Sequence, residues 1–214
     1  MARKKLKKLL NVDKLPNVFR IQDENALRVI KSIISDERKV VIEIGCGHGD
    51  YTAELASENP NIISIGVDLK GARIHTAAKR ALDLNLSNAF FIIGNAALLP
   101  QVFNSPLADQ IIIPFPDPHV KRKSENRRLV SSEFLSVYSE LLKKDGKVHL
   151  KTDNEFVFNY ALKSINENGW KVIFSSEDIS AGYPEYPILN IRTKYEVHYL
   201  SENRKIKYIC FQKI

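Results

Sequence analysis

Polar side chains lie at or just past the ends of three successive predicted strands in the first half of the chain. Glu43 precedes a glycine-rich loop at residues 45–49, Asp68 follows the second strand, and Asn95 follows the third. A carboxylate at the second position can accept hydrogen bonds from two ribose hydroxyls, and an amide at the third suits the edge of an adenine. The pattern predicts a site for an amino-acid-bearing nucleoside. The alternatives are a helix cap for Asp68 and an ordinary turn residue for Asn95.

The loop at residues 45–49 has the spacing GxGxG, whereas a dinucleotide fingerprint has GxGxxG. Glycines at Gly45 and Gly47 permit a sharp strand-to-helix turn and let the backbone approach a ligand closely. Glu43 would fix this loop or meet a cationic amino group. Tight turns use the same residues, so the indication comes from the position of the loop after the first strand.

A second group of residues that could bind a ligand follows the fourth predicted strand. The segment 114–118 places Asp117 among three prolines, which make a rigid loop with few backbone donors. A basic stretch comes next, with the cationic residues Lys121, Arg122, Lys123, Arg127 and Arg128. A carboxylate beside cations predicts base recognition next to phosphate binding. The alternatives are a charged loop with a structural Asp117 and, for Arg128 above all, packing against the following helix.

Two further segments add groups that could contact a base. Asp153 lies just past the fifth predicted strand, where it could also cap the helix that begins at Glu155. A hydroxyl, a cation, an aromatic ring and a carboxylate come together at Thr193, Lys194, Tyr195 and Glu196. This mixture suits a flipped base, with stacking from the ring and edge contacts from the polar groups. The alternative is a plain amphipathic segment.

An alternation of strands and helices must position all of these residues. The hydrophobic periodicity predicts strands at Lys39–Ile44, Ile62–Val67, Ala89–Ile93, Gln110–Ile113, Lys147–Lys151, Trp170–Ser175 and Lys205–Phe211. It predicts helices at Ala26–Ile34, Tyr51–Ser57, Ala72–Leu84, Ser132–Leu142 and Glu155–Ile165. Such an alternation indicates a mostly parallel sheet, whose ligands bind at the carboxyl ends of the strands. The motifs above fall at those ends.

The composition is that of a soluble globular protein. The chain has 214 residues, of which 44% are hydrophobic and 27% charged, and this length suits one α/β domain. No apolar run approaches the roughly 20 residues of a membrane span, and the N-terminal segment lacks the apolar stretch of a secretory signal. Cys46 and Cys210 form no CxxC, so we expect two reduced cytosolic thiols and no zinc site.

The formal net charge of +7 predicts a polyanionic partner such as nucleic acid. Part of the surplus is concentrated near the N-terminus, at Arg3, Lys4, Lys5, Lys7 and Lys8. A solvated tail is the alternative for this cluster. We predict a basic N-terminal arm at residues 1–20, followed by a single domain at residues 21–214.

The glycine-rich loop, Asp68 and Asn95 together resemble the class I methyltransferases over most of residues 37–175. With PFPDP at 114–118, the basic run behind it, LKTDNE at 150–155 and TKYE at 193–196, the chain resembles the tRNA (guanine-N7)-methyltransferases over roughly residues 38–212. This resemblance implies a Rossmann-like class I methyltransferase fold, with a mostly parallel seven-stranded sheet and helices on both faces. It implies a cytoplasmic enzyme that methylates N7 of guanine 46 in the variable loop of tRNA.

The resemblance also implies a role for each site residue. S-adenosylmethionine would be bound, without a metal, by Glu43, Gly45, Gly47, Asp68, Asn95 and Ala96. Asp117 would be the catalytic residue, at the junction of cofactor and guanine. The substrate and RNA contacts would be Lys121, Lys123, Arg127, Arg128, Asp153, Thr193, Lys194, Tyr195 and Glu196. We expect tRNA as the partner of a monomer or homodimer, with no obligatory protein partner and no membrane association.

Three positions depart from the family pattern. The family has an acid at the position of Asn95, an aromatic residue at His119 and commonly a phenylalanine at Cys46. Two alternative functions keep the same fold: a class I methyltransferase that acts on a small molecule or a protein, and an RNA-binding protein without catalysis. Intact glycines at Gly45 and Gly47 favour retained cofactor binding.

Overall fold

Strands and helices alternate along most of the chain, and every strand and helix that the sequence predicts is present. The computed structural model describes residues 2–34, 37–103, 105–183 and 185–214, and within these it leaves out the side chains of residues 2–4 and 26. Contacts divide the chain into two units, residues 1–108 and residues 109–214. The side chains of Arg3 and Lys4, two cations of the predicted arm, lie outside the described set.

The first unit contains four strands in the order β1-β4-β3-β2, and their pairings are parallel. The strands are β1 (Val18–Arg20), β2 (Lys39–Ile44), β3 (Ile62–Asp68) and β4 (Ala89–Ile93). Every residue of β3 and β4 is buried, which explains why both segments are mostly apolar and do not alternate with polar residues. The register pairs Ile44 with Val67 and Asp68 with Ile93, so the three strands end side by side.

The helices of the first unit are α1 (Ala2–Asn11), α2 (Glu24–Ile34), α3 (Asp50–Glu58), α4 (Gly71–Asp83) and α5 (Leu99–Phe103). Short 3-10 helices lie at Val12–Lys14 and Ala96–Leu98. The small residues Ala77, Ala78 and Ala81 of α4 pack in one buried cluster with Val12 and Phe91. Because small side chains permit close approach, α4 lies directly against the sheet strand β4.

The strand β1 was not predicted, so the described residues contain eight strands where the sequence predicted seven. Val18–Arg20 lies inside the predicted arm and pairs with β4, and Val12 is fully buried. The Lys8 ammonium donates a 2.7 Å hydrogen bond to the Thr76 hydroxyl on α4. A run of three residues is too short to show a period of two. The division into an arm at residues 1–20 and one domain at residues 21–214 stays a prediction.

The second unit has strands in the order β5-β6-β8-β7, and β8 is antiparallel to both of its neighbours. The strands are β5 (Ala108–Pro114), β6 (Leu142–Thr152), β7 (Trp170–Ser176) and β8 (Lys207–Lys213). The helices are α6 (Ser132–Leu141), α7 (Glu155–Glu167) and α8 (Lys194–Ser201), with 3-10 helices at Arg122–Arg127 and Pro187–Asn190. Phe211 of β8 pairs with Val148 on one side and Val172 on the other.

Side-chain oxygens cap all three helices of the second unit. Ser131 accepts from the amide of Phe134 at the start of α6, and Asn154 accepts from Val157 at the start of α7. The cap of α7 is therefore Asn154 rather than Asp153, which corrects the capping alternative for Asp153. The segment 193–196, for which no element was predicted, begins α8. No helix in the described ranges is long and apolar enough to cross a membrane.

Candidate active site

Glu43 lies near the end of β2, and only 1% of its surface is exposed. Its Oε2 accepts a 2.9 Å hydrogen bond from the Thr52 amide and a 2.6 Å hydrogen bond from the Thr52 hydroxyl. Burial raises the pKa of Glu43 to about 8, against the opposing effect of these two bonds. Because Thr52 belongs to α3, the carboxyl ties the two ends of the glycine-rich loop together.

The glycine-rich loop leaves open space beside Gly47. This residue has a φ of 54°, and a Cβ atom added there would meet nothing nearer than the Gly45 carbonyl oxygen, at 3.9 Å, among the described atoms. A Cβ atom on Gly49 would lie 2.7 Å from a ring carbon of Phe91, so Gly49 is needed for packing. The positive φ favours glycine at position 47, and the space beside it suits a ligand that approaches the backbone.

The Asp68 carboxylate joins the glycine-rich loop to the start of α4. Its Oδ2 accepts a 2.9 Å hydrogen bond from the Gly47 amide, and its Oδ1 accepts a 2.7 Å hydrogen bond from the Lys70 amide. The residue is 9% exposed. Lys70 is itself the cap residue of α4, so Asp68 stabilises the turn before the helix rather than its first turn. A carboxylate has about four acceptor positions, which leaves capacity for ribose hydroxyls.

Asn95 is exposed and caps the 3-10 helix Ala96–Leu98, with its Oδ1 accepting a 3.1 Å hydrogen bond from the Ala97 amide. Asn95 therefore does have the structural role in a turn that the sequence analysis gave as its alternative. The Gly94 amide donates to the Asp68 carbonyl at 3.1 Å, which holds Asn95 close to the end of β3. The side-chain NH₂ group of Asn95 donates no hydrogen bond to any described residue.

Leu69 was not among the predicted site residues. It directly follows Asp68, and 71% of its surface is exposed. Single exposed apolar side chains are common at protein surfaces, so the observation here is its position beside the strand-ending carboxylate of Asp68. In the sequence, the signal for this residue was an apolar side chain between the strand-ending carboxylate of Asp68 and Lys70.

The loop after β5 has an unusual backbone around Asp117. Phe115 has a φ of 51° and His119 a φ of 42°, values in the left-handed region that non-glycine residues rarely adopt. The Phe115 amide donates a 2.7 Å hydrogen bond to the Lys151 carbonyl, and its ring lies 5.5 Å from the Tyr199 ring. Asp117 is exposed, and its carboxylate has no ion pair or hydrogen bond within the described ranges.

The predicted RNA-binding cations divide into an exposed group and one buried member. Lys121, Lys123 and Arg127 are exposed in and beside the 3-10 helix Arg122–Arg127. Arg128 is only 7% exposed, and its guanidinium donates to carbonyls of the preceding loop. The exposed three are available to a polyanion. Arg128 has intramolecular partners.

Asp153 follows the end of β6 and is partly buried. Its Oδ2 accepts a 2.9 Å hydrogen bond from Nη1 of Arg204, whose Nη2 lies 2.8 Å from a carboxylate oxygen of Glu202. The pairing leaves the Oδ1 atom of Asp153 without a hydrogen bond from any described residue. A substrate that approached Asp153 would therefore meet a carboxylate already oriented by a cation.

Thr193 and Glu196 are buried at the start of α8. The Thr193 hydroxyl accepts a 3.1 Å hydrogen bond from the Glu196 amide, and Oε2 of Glu196 lies 2.7 Å from the Lys151 ammonium. Lys151 also donates to the carbonyls of Leu189 at 3.3 Å and Ile191 at 3.1 Å. Burial lowers the pKa of Lys151 and raises that of Glu196, and the attraction between them opposes both shifts. The exposed residues of this segment are Lys194 and Tyr195.

Within each unit, the structure brings predicted residues together. Asp68 is bonded to Gly47 in the first unit. In the second, Thr193 is bonded to Glu196, and Glu196 is paired with Lys151, which was not among the predicted site residues. No cluster of three metal-binding side chains occurs in the described ranges. The absence of a metal and the lack of an obligatory protein partner stay predictions.

Comparisons with known proteins agree with this architecture. A family model described as "Putative methyltransferase" matches residues 37–209. A protein of Christiangramia forsetii named tRNA (guanine-N(7)-)-methyltransferase is 38% identical over 92% of this chain and 86% of its own length. The crystal structure of a 30S ribosomal A1408 methyltransferase from an uncultured bacterium superposes with a TM-score of 0.64 and 20% identity, over 90% of this chain and 94% of that one.

A further solved structure contains a ligand. The 16S rRNA (adenine(1408)-N(1))-methyltransferase of Catenulisporales acidiphilia, solved with the cosubstrate S-adenosylmethionine, has a TM-score of 0.57 and 14% identity, over 90% of this chain and 92% of that one. The fold and the match to the family model define an α/β methyltransferase. Within that class, the chain belongs to the tRNA (guanine-N7)-methyltransferase family.

Proposed function

We propose that this chain transfers a methyl group from S-adenosylmethionine to N7 of guanine 46 in the variable loop of tRNA. Three things support the proposal: the family, the strand-end residues of the first unit and the exposed cations of the second. The observation that carries it is the exposed Asp117 carboxylate, which has no partner among the described residues and lies between two residues of left-handed backbone.

The residues of the first unit fit the cofactor. The open space beside Gly47 admits a ligand against the backbone, and Asp68 keeps acceptor capacity for the ribose hydroxyls. The exposed Leu69 side chain and the Asn95 amide suit the face and the edge of an adenine. Glu43 maintains the loop through Thr52, and Gly45 and Ala96 contribute backbone beside these groups. When bound, S-adenosylmethionine supplies an electrophilic methyl on a sulfonium.

The chemistry at guanine requires no general base. N7 of neutral guanine has a lone pair and no proton, so catalysis comes mainly from aligning that atom with the methyl carbon. As the bond from N7 to the methyl carbon forms, the bond from that carbon to sulfur would break, so the positive charge passes to the guanine and a neutral thioether leaves. Asp117 stabilises the developing charge, because a carboxylate that a rigid loop keeps beside the base needs little reorganisation at the moment of reaction.

The remaining residues of the second unit would hold the RNA. Lys121, Lys123 and Arg127 are exposed cations that would contact phosphates. The groups that would recognise the flipped guanine are Asp153, Thr193, Lys194, Tyr195 and Glu196. Tyr195 is 43% exposed and offers a ring for stacking. Arg128, also predicted to bind RNA, has the separate intramolecular role argued below.

The experiment that tests the proposal offers the enzyme a choice of acceptors. The purified chain is incubated with methyl-labelled S-adenosylmethionine and unmodified bulk tRNA, ribosomal RNA or small nucleosides. Digestion of the tRNA to nucleosides should place the label in N7-methylguanosine. Label only in the other acceptors would indicate a class I methyltransferase with a different substrate. Cofactor binding without transfer to any acceptor would indicate an RNA-binding protein.

A further inference from the structure

Arg128 makes three polar contacts at the base of the loop that carries Asp117. Its Nε donates a 3.2 Å hydrogen bond to the His119 carbonyl, and its Nη2 donates a 3.2 Å hydrogen bond to the Val120 carbonyl. Its Nη1 lies 3.2 Å from Oε1 of Glu125. A guanidinium has donors in a fixed planar fork, so these contacts fix two consecutive carbonyls relative to each other.

Two aromatic rings of α7 hold the guanidinium from the other side. The Cζ atom of Arg128 lies 4.3 Å from the centre of the Tyr160 ring and 4.9 Å from the centre of the Phe156 ring. Both distances are within the range of a cation–π interaction. Pro116, Asp117 and their neighbour Pro118 line the same shallow depression as Arg128 and these two rings. The loop thus rests on a surface that Arg128 helps to build.

The loop needs such a support because its backbone is strained at both ends. Phe115 and His119 adopt left-handed conformations, which are unfavourable for residues other than glycine and persist only where the surroundings impose them. At the first end, the Phe115 amide is held by the Lys151 carbonyl. At the second end, the contacts to the His119 and Val120 carbonyls come from Arg128.

We propose that Arg128 is a positioning residue, which holds the loop so that Asp117 faces the guanine, and that it does not contact phosphate. This inference rests on the proposed methyl transfer to guanine N7. Arg127, adjacent in sequence and exposed, serves the phosphate instead. The chain therefore places two arginines with different tasks at consecutive positions, and they form a matched pair for experiment.

The test compares Arg127→Gln, Arg128→Gln and Arg128→Lys by tRNA binding at several salt concentrations and by methyl transfer. Arg127→Gln should raise KM for tRNA and reduce the slope of log K against log salt by about 0.7–0.9. Arg128→Gln should leave that slope unchanged. Arg128→Lys keeps the charge but loses the fork, so the single-turnover rate at saturating tRNA should fall at least about tenfold, as expected for a displaced catalytic group.

Cofactor affinity, measured by calorimetry, reports whether each variant is folded. If Arg128→Lys does not fold, the same measurements on Phe156→Leu replace it as the test of the positioning role. That substitution removes one of the two rings that contact the guanidinium and leaves the loop sequence intact. The expected result is a lower rate with an unchanged salt slope. A rate within twofold of wild type in the folded variant overturns the positioning role.

The outcomes separate this inference from the proposed function. Wild-type enzyme that labels no tRNA overturns both. Wild-type enzyme that forms N7-methylguanosine, together with Arg128→Lys at the wild-type rate, overturns only the positioning role. A salt slope reduced equally by Arg127→Gln and Arg128→Gln also overturns it, because Arg128 would then contact phosphate.

Discussion

The Lys151 ammonium lies 2.7 Å from the Glu196 carboxylate, and each side chain is only 3% exposed. This buried ion pair connects β6 to the first turn of α8. The same ammonium donates to the carbonyls of Leu189 and Ile191 in the segment leading to α8. The proposed guanine-binding residues of α8 are thus tied to the strand that also anchors Phe115.

Removing one partner of this pair should destabilise the protein more than removing both. Lys151→Met or Glu196→Gln would leave a buried charge uncompensated, and each should lower the free energy of unfolding by about 3–5 kcal/mol. The double variant should recover part of that loss. Urea denaturation of all three measures it, with Lys163→Met, an exposed lysine on α7, as a control that changes stability by less than about 0.5 kcal/mol. Strictly additive losses would contradict a direct interaction.

Glu43 should make stability depend on pH. Its pKa is about 8 in the folded chain, against an ordinary value of 4.5. Between these values the unfolded chain has lost the proton that the folded chain keeps, so this residue's contribution to the free energy of unfolding falls as pH rises, then levels off above about 8. The Glu43→Gln variant has no ionisable group at this position, so it serves as the reference.

Denaturation of wild type and Glu43→Gln at about pH 5, 6.5 and 8 checks this dependence. The stability of wild type relative to the variant should decline steadily across that range, by at most about 1.4 kcal/mol per pH unit. Parallel profiles would show that Glu43 ionises normally in the folded protein.

Asp68→Ala should weaken S-adenosylmethionine strongly, because the ribose hydroxyls lose an acceptor and the amides of Gly47 and Lys70 lose their partner. The loss of one charge-assisted bond costs about 1.5–3 kcal/mol, which is roughly a tenfold to hundredfold change in Kd. Calorimetric titration measures it. Asp83→Ala, which removes an exposed carboxylate on α4, is the matched control. Unchanged affinity in folded Asp68→Ala would remove Asp68 from the cofactor site.

Asp117→Asn should lower the single-turnover rate by about tenfold to a hundredfold while tRNA and cofactor binding change little. The substitution keeps the shape and removes the charge that stabilises the cationic guanine. Because N7 has no proton to lose, the wild-type rate should not rise tenfold per pH unit in neutral to alkaline solution. A variant at the wild-type rate would leave Asp117 as a structural loop residue.

The strands were predictable where the buried segment had five or more residues. β2, β3 and β4 are rich in apolar residues, and their bounds agree with prediction to within one residue. β1 has only three residues, and its pairing with β4 depends on a segment about seventy positions away. Such a pairing has no local signal.

The start of α8 did have a local signal. Thr193 and Glu196 have the spacing of a capping box, S/T-x-x-E, which indicates a helix N-terminus. From the sequence, these residues were predicted to serve base recognition, with a plain amphipathic segment as the alternative. The structure shows that Thr193 caps α8 and Glu196 pairs with Lys151, in addition to any contact with substrate.

The burial of Arg128 was anticipated only as an alternative, packing against the following helix, whereas its guanidinium lies over two rings of α7. The two residues are identical in type and adjacent, so composition and charge patterning treat them alike. Which one is buried depends on the rings of Phe156 and Tyr160, which lie on a helix about thirty residues further along. Only the tertiary structure separates an exposed cation from one that holds a loop.

Methylation of a matched pair of tRNA transcripts tests the proposed function and its position together. One transcript carries guanine at position 46, and the other carries adenine there with its tertiary partners adjusted to keep the fold. With methyl-labelled S-adenosylmethionine, the first should accept about one methyl group per molecule, recovered as N7-methylguanosine, and the second should accept none. Equal labelling of both transcripts, or label in any other nucleoside, would contradict methylation of guanine 46 by this chain.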